Sequence, residues 1–556
     1  MPTVDYIGIY LKNFFIYDNI KLLIFYITSE GFACIAGGDR CFDMLTKIYS
    51  AGLSGIEGYE VIAECSGRGR LPGFELVGLP DAAVKEAKER VRCAVENSGL
   101  PFPSMELMVN LAPADRRKEG SLFDLAIVCA ILQCDGRIPR EMRTDDKCII
   151  GELSLSGELR AVNGALSAAL FARDSGKREL YLPEANAAEA AAVEGICVYG
   201  VRDLHQLIEH FNGRTLIAPT TFDRTEFSND FEPSGLDFSD VRGQLKAKRA
   251  LEIAAAGGHN ILLIGPPGSG KSMLAKCLPS ILPPLTFEES LDITRIYSAI
   301  GASGGRLVRR RPFRSVHHTV SLAGLVGGGT NPRPGEISLS HNGVLFLDEL
   351  PEFSKQLTES LRQPLEDRVI TVTRAAGRAR FPASFMMVCA MNPCRCGHYG
   401  DPNKSCTCSP DDVRRYLGRI SGPLLDRIDI QVELPPVTYR EMTADDAVAE
   451  PSSAVRERVT AAREFSSSRR TRTGERLFCN AAMSRAEVQE YCRLDESAAS
   501  LIESAFDSLG LSARGYDRVL RVARTIADLD RSELIGAAHI AEAIQLRSLD
   551  RKYFSH

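Results

Sequence analysis

The sequence predicts a multidomain α/β protein whose C-terminal part is all helix. Three observations lead there. The apolar run Ile261-Leu262-Leu263-Ile264 passes directly into Gly265-Pro266-Pro267-Gly268-Ser269-Gly270-Lys271-Ser272 and then Met273-Leu274-Ala275, which is the order strand, glycine loop, helix. Residues 44 to about 213 alternate short β patterns with helices. From about 438 onward only helical spacing is present, at Glu487–Tyr491, Ala498–Leu509 and Tyr516–Leu529.

A chain of 556 residues has room for roughly two to four domains. Its 44% apolar and 25% charged content is that of soluble globular proteins and excludes a disordered chain. A formal net charge of −5 excludes overall polyanion affinity, so local basic clusters must carry any such function. Sixteen cysteines in a chain without a secretory leader read as cytoplasmic thiols or metal ligands, not a disulfide framework.

Residues 1–43 are atypical. Tyr6 to Ile27 is rich in Phe, Ile, Leu and Tyr, but Lys12, Asp18 and Lys21 interrupt it, which argues against a membrane span. A basic start and a small-residue cleavage site are missing, which argues against a signal peptide. Regular patterning begins at Met44-Leu45-Thr46-Lys47-Ile48. The expectation is that Met44 is the natural start and that 1–43 is translated upstream sequence.

In 44–213, Asp81 to Asn97 reads as an amphipathic helix with Asp81 as N-cap and Gly99 past its end. Met105–Leu111 and Cys148–Leu155 read as strands. A polar linker is expected over 214–235. Residues 236–437 hold the chemistry, and 438–556 form the helical end.

The glycine loop turns backbone N–H groups inward and aims a helix N-terminus at phosphates. Gly265, Pro266, Pro267, Gly268, Ser269 and Gly270 form this ATP cradle, Lys271 reaches the β- and γ-phosphates, and Ser272 ligates Mg²⁺. A second buried run, Val344-Leu345-Phe346-Leu347, ends in Asp348 and Glu349. Asp348 belongs beside Mg²⁺, and Glu349 polarises the attacking water. A third, Phe385 to Met391, ends at Asn392, whose amide is placed to orient that water. ATP hydrolysis is the implied reaction.

Cys394-Arg395-Cys396 and Cys406-Thr407-Cys408 offer four thiolates for a tetrahedral Zn²⁺, with His398 as the alternative ligand for one sulfur. The expected knuckle either braces Asn392 or forms a DNA-contacting tip. Arg374, Arg378 and Arg380 flank Gly377 between two strand patterns, as a basic β-hairpin for phosphates would. Five arginines lie between Arg306 and Arg314, followed by His317 and His318. Arg469-Arg470-Thr471-Arg472 lies in Ser-rich sequence and reads as a flexible loop.

The chain resembles the ComM/YifB family of magnesium-chelatase-like AAA+ ATPases over almost all of 44–556. The resemblance rests on Leu71-Pro72-Gly73-Phe74, Val77-Gly78-Leu79-Pro80-Asp81, Asn110-Leu111-Ala112-Pro113-Ala114-Asp115, the two nucleotide motifs, Ser421 to Asp429, and Ala523 to Leu529. It implies a Lon-protease-like α+β N-terminal domain, an AAA+ P-loop α/β core and a C-terminal helical lid. It also implies a homo-hexameric helicase that drives branch migration on branched or single-stranded DNA in recombination and natural transformation, with a recombinase as a further candidate partner. Arg427 matches that branch's arginine finger, supplied in trans. Arg514 matches the second sensor arginine, with Arg518 as the competing assignment. The positions of the Lon Ser–Lys dyad hold Leu122 and Leu166, so peptidase activity is not expected. The alternatives are a magnesium-chelatase motor subunit and a Lon-like ATPase or chaperone. The N-terminal domain and the four-cysteine loop argue against the first.

Overall fold

A computed structural model describes residues 24–28, 31–35, 44–69, 72–78, 82–116, 118, 120–229, 236–329, 332–374, 377–401, 404–436, 450–474, 477, 479–509 and 511–554. Most of the 1–43 extension, Leu71, Leu79 to Asp81 and the expected Asp81 cap lie outside them. Ile24–Thr28 and Gly31–Ile35 pair as an antiparallel ribbon.

Strands Met44–Ser54, Glu57–Arg68, Glu106–Ala112 and Gly73–Val77 form a mixed sheet in that order. Val61, Ala63 and Cys65 alternate inward and are wholly buried, because a period of two puts one face on the helices Ala82–Asn97 and Asp124–Cys134. Cys197–Val201, Glu179–Pro183 and Lys147–Ile149 make a separate parallel sheet.

Cys148–Leu155 is not one strand. Lys147–Ile149 joins the parallel sheet, and Glu152–Leu153 pairs with Leu159–Arg160. Between them Gly151 donates its N–H to the Leu122 carbonyl at 2.9 Å and accepts from Leu125 N–H at 3.1 Å. The ladder breaks there because the backbone is tied to the start of the Asp124–Cys134 helix.

The core sheet is parallel, in the order Phe313–Val316, Val344–Leu347, Met386–Met391, Ile261–Ile264, Ile430–Glu433. Its central strands are continuous apolar runs because both faces are covered. Ile261, Leu263, Phe346, Val388 and Ala390 face one hydrophobic cluster. Leu262, Ile264, Leu345, Leu347, Met387 and Cys389 face another.

The helical end is welded to this sheet. Helix Ser452–Ser466 packs on Leu245–Gly257 and Lys271–Ile281. Its Val455 and Val459 share the first cluster with Val519, Val522 and Ile526 of helix Ala513–Leu529. Asp237 accepts from Ser452 N–H at 3.0 Å. On the other side, helix Phe287–Ala299 packs on helix Ala165–Asp174 of the N-terminal part. The buried Glu189 carboxylate accepts from Ser298 at 3.0 Å and Ser303 at 2.6 Å. No helix among the described residues is long and apolar enough to cross a membrane.

Arg469 is not part of a free loop. Its guanidinium makes a bidentate pair with Asp528, at 2.7 and 2.5 Å, with only 10% and 2% of the two side chains exposed. Asp528 also accepts from Arg524 at 3.0 Å and Asn480 at 2.7 Å, so Arg469→Ala leaves the carboxylate paired and is expected to destabilise the helical end by about 1–3 kcal/mol, read as a lower denaturation midpoint.

Candidate active site

Three neighbouring core strands end at one edge of the sheet, and each delivers part of the site. Ile264 leads into the glycine loop, Leu347 into Asp348 and Glu349, and Met391 into Asn392. Gly270 caps the following helix at φ 87, left-handed backbone that turns the loop back over the helix start. Lys271, the first helical residue, is buried. Its Nζ donates to the carbonyls of Gly265 at 2.8 Å and Pro266 at 2.9 Å and to Asn392 Oδ1 at 3.1 Å. Burial pushes the ammonium's pKa down, against the opposing pull of Asp348 and Glu349.

Ser272 Oγ donates to Asp348 Oδ2 at 2.7 Å. Two hard oxygen ligands therefore meet at the loop mouth, a donor set that suits Mg²⁺. Glu349 sits at φ 53, a conformation uncommon for a side-chain-bearing residue and frequent at functional sites. Its N–H donates to Asp348 Oδ1 at 2.9 Å, and its carboxylate stands 59% exposed beside His318 Nδ1 at 3.8 Å. The sequence marks His318 only as part of an arginine-rich insert. What places it is the end of strand Phe313–Val316, the neighbour of Val344–Leu347.

The two candidate arginines are not at this edge. Asn260, just before strand Ile261–Ile264, donates to the Arg427 carbonyl at 2.8 Å, and its own carbonyl accepts from Asp429 N–H at 3.0 Å. Arg427 is thus at the opposite end of the strand from the glycine loop, about 13 Å along four extended residues. Its guanidinium pairs with Glu366 and donates to the Pro423 carbonyl at 2.5 Å. Arg514 lies in the same region, 4.0 Å from Asp426 and 71% exposed. Arg518 is 10% exposed and lies 3.7 Å from both Asp426 and Asp429. Burial pushes the Asp429 carboxyl up, but His259 and the charges of Arg518 and Arg521 hold it below its usual range. A cavity of about 430 Å³ opens here, lined by Arg427, Arg514, Arg518 and Arg521 among others. Arg518 is the buried member of the pair, and Arg514 is the exposed one.

The four cysteines do converge. Cys394, Cys396, Cys406 and Cys408 have sulfurs within 4.8 Å of one another, with pairs at 3.3, 3.7 and 3.5 Å. Tetrahedral zinc with Zn–S bonds of about 2.3 Å places sulfurs about 3.8 Å apart, so the set fits the ion. His398 turns to Asp401 instead, at 3.2 Å.

Val369–Arg374 and Gly377–Pro382 form the expected hairpin. Arg374, Arg378 and Arg380 are exposed, whereas Val372, Ala379 and Phe381 are buried beneath them. The earlier arginine cluster is different. Arg311 pairs with Glu289 at 2.8 Å and Arg314 with Glu336 at 2.6 Å, so these two are structural ties. In the N-terminal part Leu122 and Leu166 are buried, and Ser121 Oγ hydrogen-bonds Glu152, not a lysine.

Known relatives match this sequence over nearly their whole length. Family profiles described as magnesium chelatase, subunit ChlI; subunit ChlI of Mg-chelatase; and magnesium chelatase, subunit ChlI C-terminal match residues 237–442, 63–186 and 449–547. Competence protein ComM of Haemophilus influenzae is 41% identical over 510 residues, covering 91% of this chain and 98% of that protein. The chain belongs to the ComM/YifB branch of the magnesium-chelatase ChlI family. YifB of Escherichia coli is likewise 41% identical over 510 residues, with the same coverage. An uncharacterized protein of Mycobacterium tuberculosis is 42% identical over 508 residues, 90% of this chain and 98% of that one. Members of this family are AAA+ ATPases, and the chain is one of them.

Glu349 is the carboxylate that the sequence pattern assigns to polarising water, so Glu349→Gln is expected to keep nucleotide affinity while turnover falls about 10²–10⁴-fold. Fluorescent-nucleotide binding and phosphate release measured on the same sample check this.

Proposed function

We propose that this ComM homologue is an ATP-driven DNA motor, a ring of six identical subunits that promotes branch migration during recombination and the uptake of transforming DNA. The observation that carries the reading is the division of the ATPase parts between opposite ends of one sheet. Lys271, Ser272, Asp348, Glu349 and Asn392 gather at one end, and Arg427 and Arg514 stand at the other. Arginines so far from their own glycine loop serve the loop of an adjacent subunit. A ring closes that head-to-tail arrangement without leaving unpaired ends.

Within the site Lys271 holds the terminal phosphates, Asn392 orients the attacking water, and Glu349 polarises it. Mg²⁺ held through Ser272 and Asp348 would neutralise charge on the phosphate oxygens. Arg427 and Arg514 of the neighbour stabilise the charge that develops during cleavage. The exposed Arg374, Arg378 and Arg380 then give each subunit a sequence-independent grip on DNA phosphates. The Haemophilus influenzae relative's name as a competence protein supports a substrate of transforming DNA, with a recombinase as the natural co-worker.

Turnover should be DNA-stimulated. Arg427→Ala and Lys271→Ala subunits, each inactive alone, should recover turnover when mixed, since each supplies what the other lacks. No recovery from co-assembled, folded variants would refute the shared site. On a synthetic four-way junction the wild type should move the branch point only with ATP; movement by Lys271→Ala would refute a motor. Arg378→Ala with Arg380→Ala should weaken DNA binding for all sequences. It should also flatten the salt dependence by roughly 0.7–0.9 in log–log slope for each phosphate that is no longer neutralised.

A further inference from the structure

We propose that the cysteine knuckle, filled with zinc, is a clamp on the phosphate loop, so that zinc occupancy sets how well the chain holds and cleaves ATP. The inference rests on the nucleotide-site reading and adds a dependence on a second metal. Pro393 alone separates the wholly buried Cys394 from Asn392, so the first thiolate fixes the strand end that touches Lys271. Gly397, at φ +86, packs directly on the glycine loop. A Cβ there would lie 2.6 Å from Cδ and 2.8 Å from Cγ of Pro267. The knuckle therefore bears on the loop rather than standing clear of it as a DNA-contacting tip.

The knuckle is backed from the far side. Tyr399 meets the edge of Tyr553 with ring centroids 6.4 Å apart, and Tyr553 Oη donates to Glu433 at 2.6 Å. Glu433 is the register partner of Ile264, the last residue before the glycine loop. Between Asn392 and Ser409 the described residues form no helix or strand. Cys396, Cys406 and Cys408 are only partly buried. A segment with so little backbone pairing and apolar burial takes its shape from metal–thiolate bonds. Without the ion, Gly397 keeps only the Tyr399–Tyr553 backing behind it, and Asn392 loses the brace that Cys394 supplies.

Two glycines of the knuckle separate steric contact from backbone strain. Gly400, at φ +78, has nothing within 4 Å of a built Cβ, whereas Gly397 has Pro267. Wild-type protein is expected to carry one zinc per chain by elemental analysis and to bind a fluorescent ATP analogue. Cys406→Ser should lose the zinc and weaken nucleotide binding about tenfold or more. Gly397→Ala should keep the zinc yet lose nucleotide affinity or turnover by about the same factor, and adding Pro267→Ala should recover part of it. Gly400→Ala should match wild type. The proposal is overturned if wild type holds no zinc, or if zinc-free Cys406→Ser binds and hydrolyses ATP as wild type does. It is also overturned if Gly397→Ala and Gly400→Ala behave alike. Should Cys406→Ser not fold, the glycine pair decides alone. A wild type that binds no ATP removes the nucleotide-site reading itself, whereas a wild type that binds ATP irrespective of zinc removes only the clamp.

Discussion

Lys271 depends on a constraint that no local sequence can supply: two strands more than a hundred positions apart must end side by side. Its ammonium bridges the carbonyls of its own loop and the Asn392 amide. The pairing Ile264 to Met391 makes that possible. Parallel strands of equal reach present their C-terminal ends at one edge, which is where ligands of open α/β sheets bind. Shift that register, and the lysine, the Ser272–Asp348 contact and the strained Glu349 separate together.

The same alignment determines what the chain lacks. A strand that carries the glycine loop at one end carries Arg427 beside its other end, out of reach of that loop. On the proposed reading, the ATPase centre is half of a site on each of two faces. The helical end shares one continuous hydrophobic cluster with the sheet. Helix Ala513–Leu529, which carries Arg514, therefore packs in the same cluster as the strand that leads into the glycine loop. The N-terminal part is coupled as firmly, because helix Phe287–Ala299 buries Ser298 against Glu189.

Burial sorts the arginines. Arg311 and Arg469 satisfy carboxylates inside the protein, and Arg314 ties Glu336 nearer the surface. Arg378 and Arg380 sit on the exposed row of a hairpin whose alternate residues are buried, and Arg374 is exposed at the hairpin's end, beyond the buried Val372. Clusters that look equivalent by composition thus do opposite work.

Sequence alone determined the chemistry that is local. The glycine loop, the run ending in Asp348 and Glu349, and the paired cysteines are short contiguous patterns, since phosphate cradling, strand-end carboxylates and thiolate coordination need few residues at fixed spacing. The long helices were legible for the same reason: their periodicity is written within one stretch. Tertiary structure decided everything set by approach between distant segments. His318 came to Glu349 through strand order, and Gly397 came to Pro267 through the packing of the knuckle. Arg469 was withdrawn from solvent by Asp528. The Cys148–Leu155 strand was cut at Gly151 by hydrogen bonds to a helix start that its own sequence could not announce. Periodicity records which face of an element is buried, but not what buries it, and function here lies in the second fact.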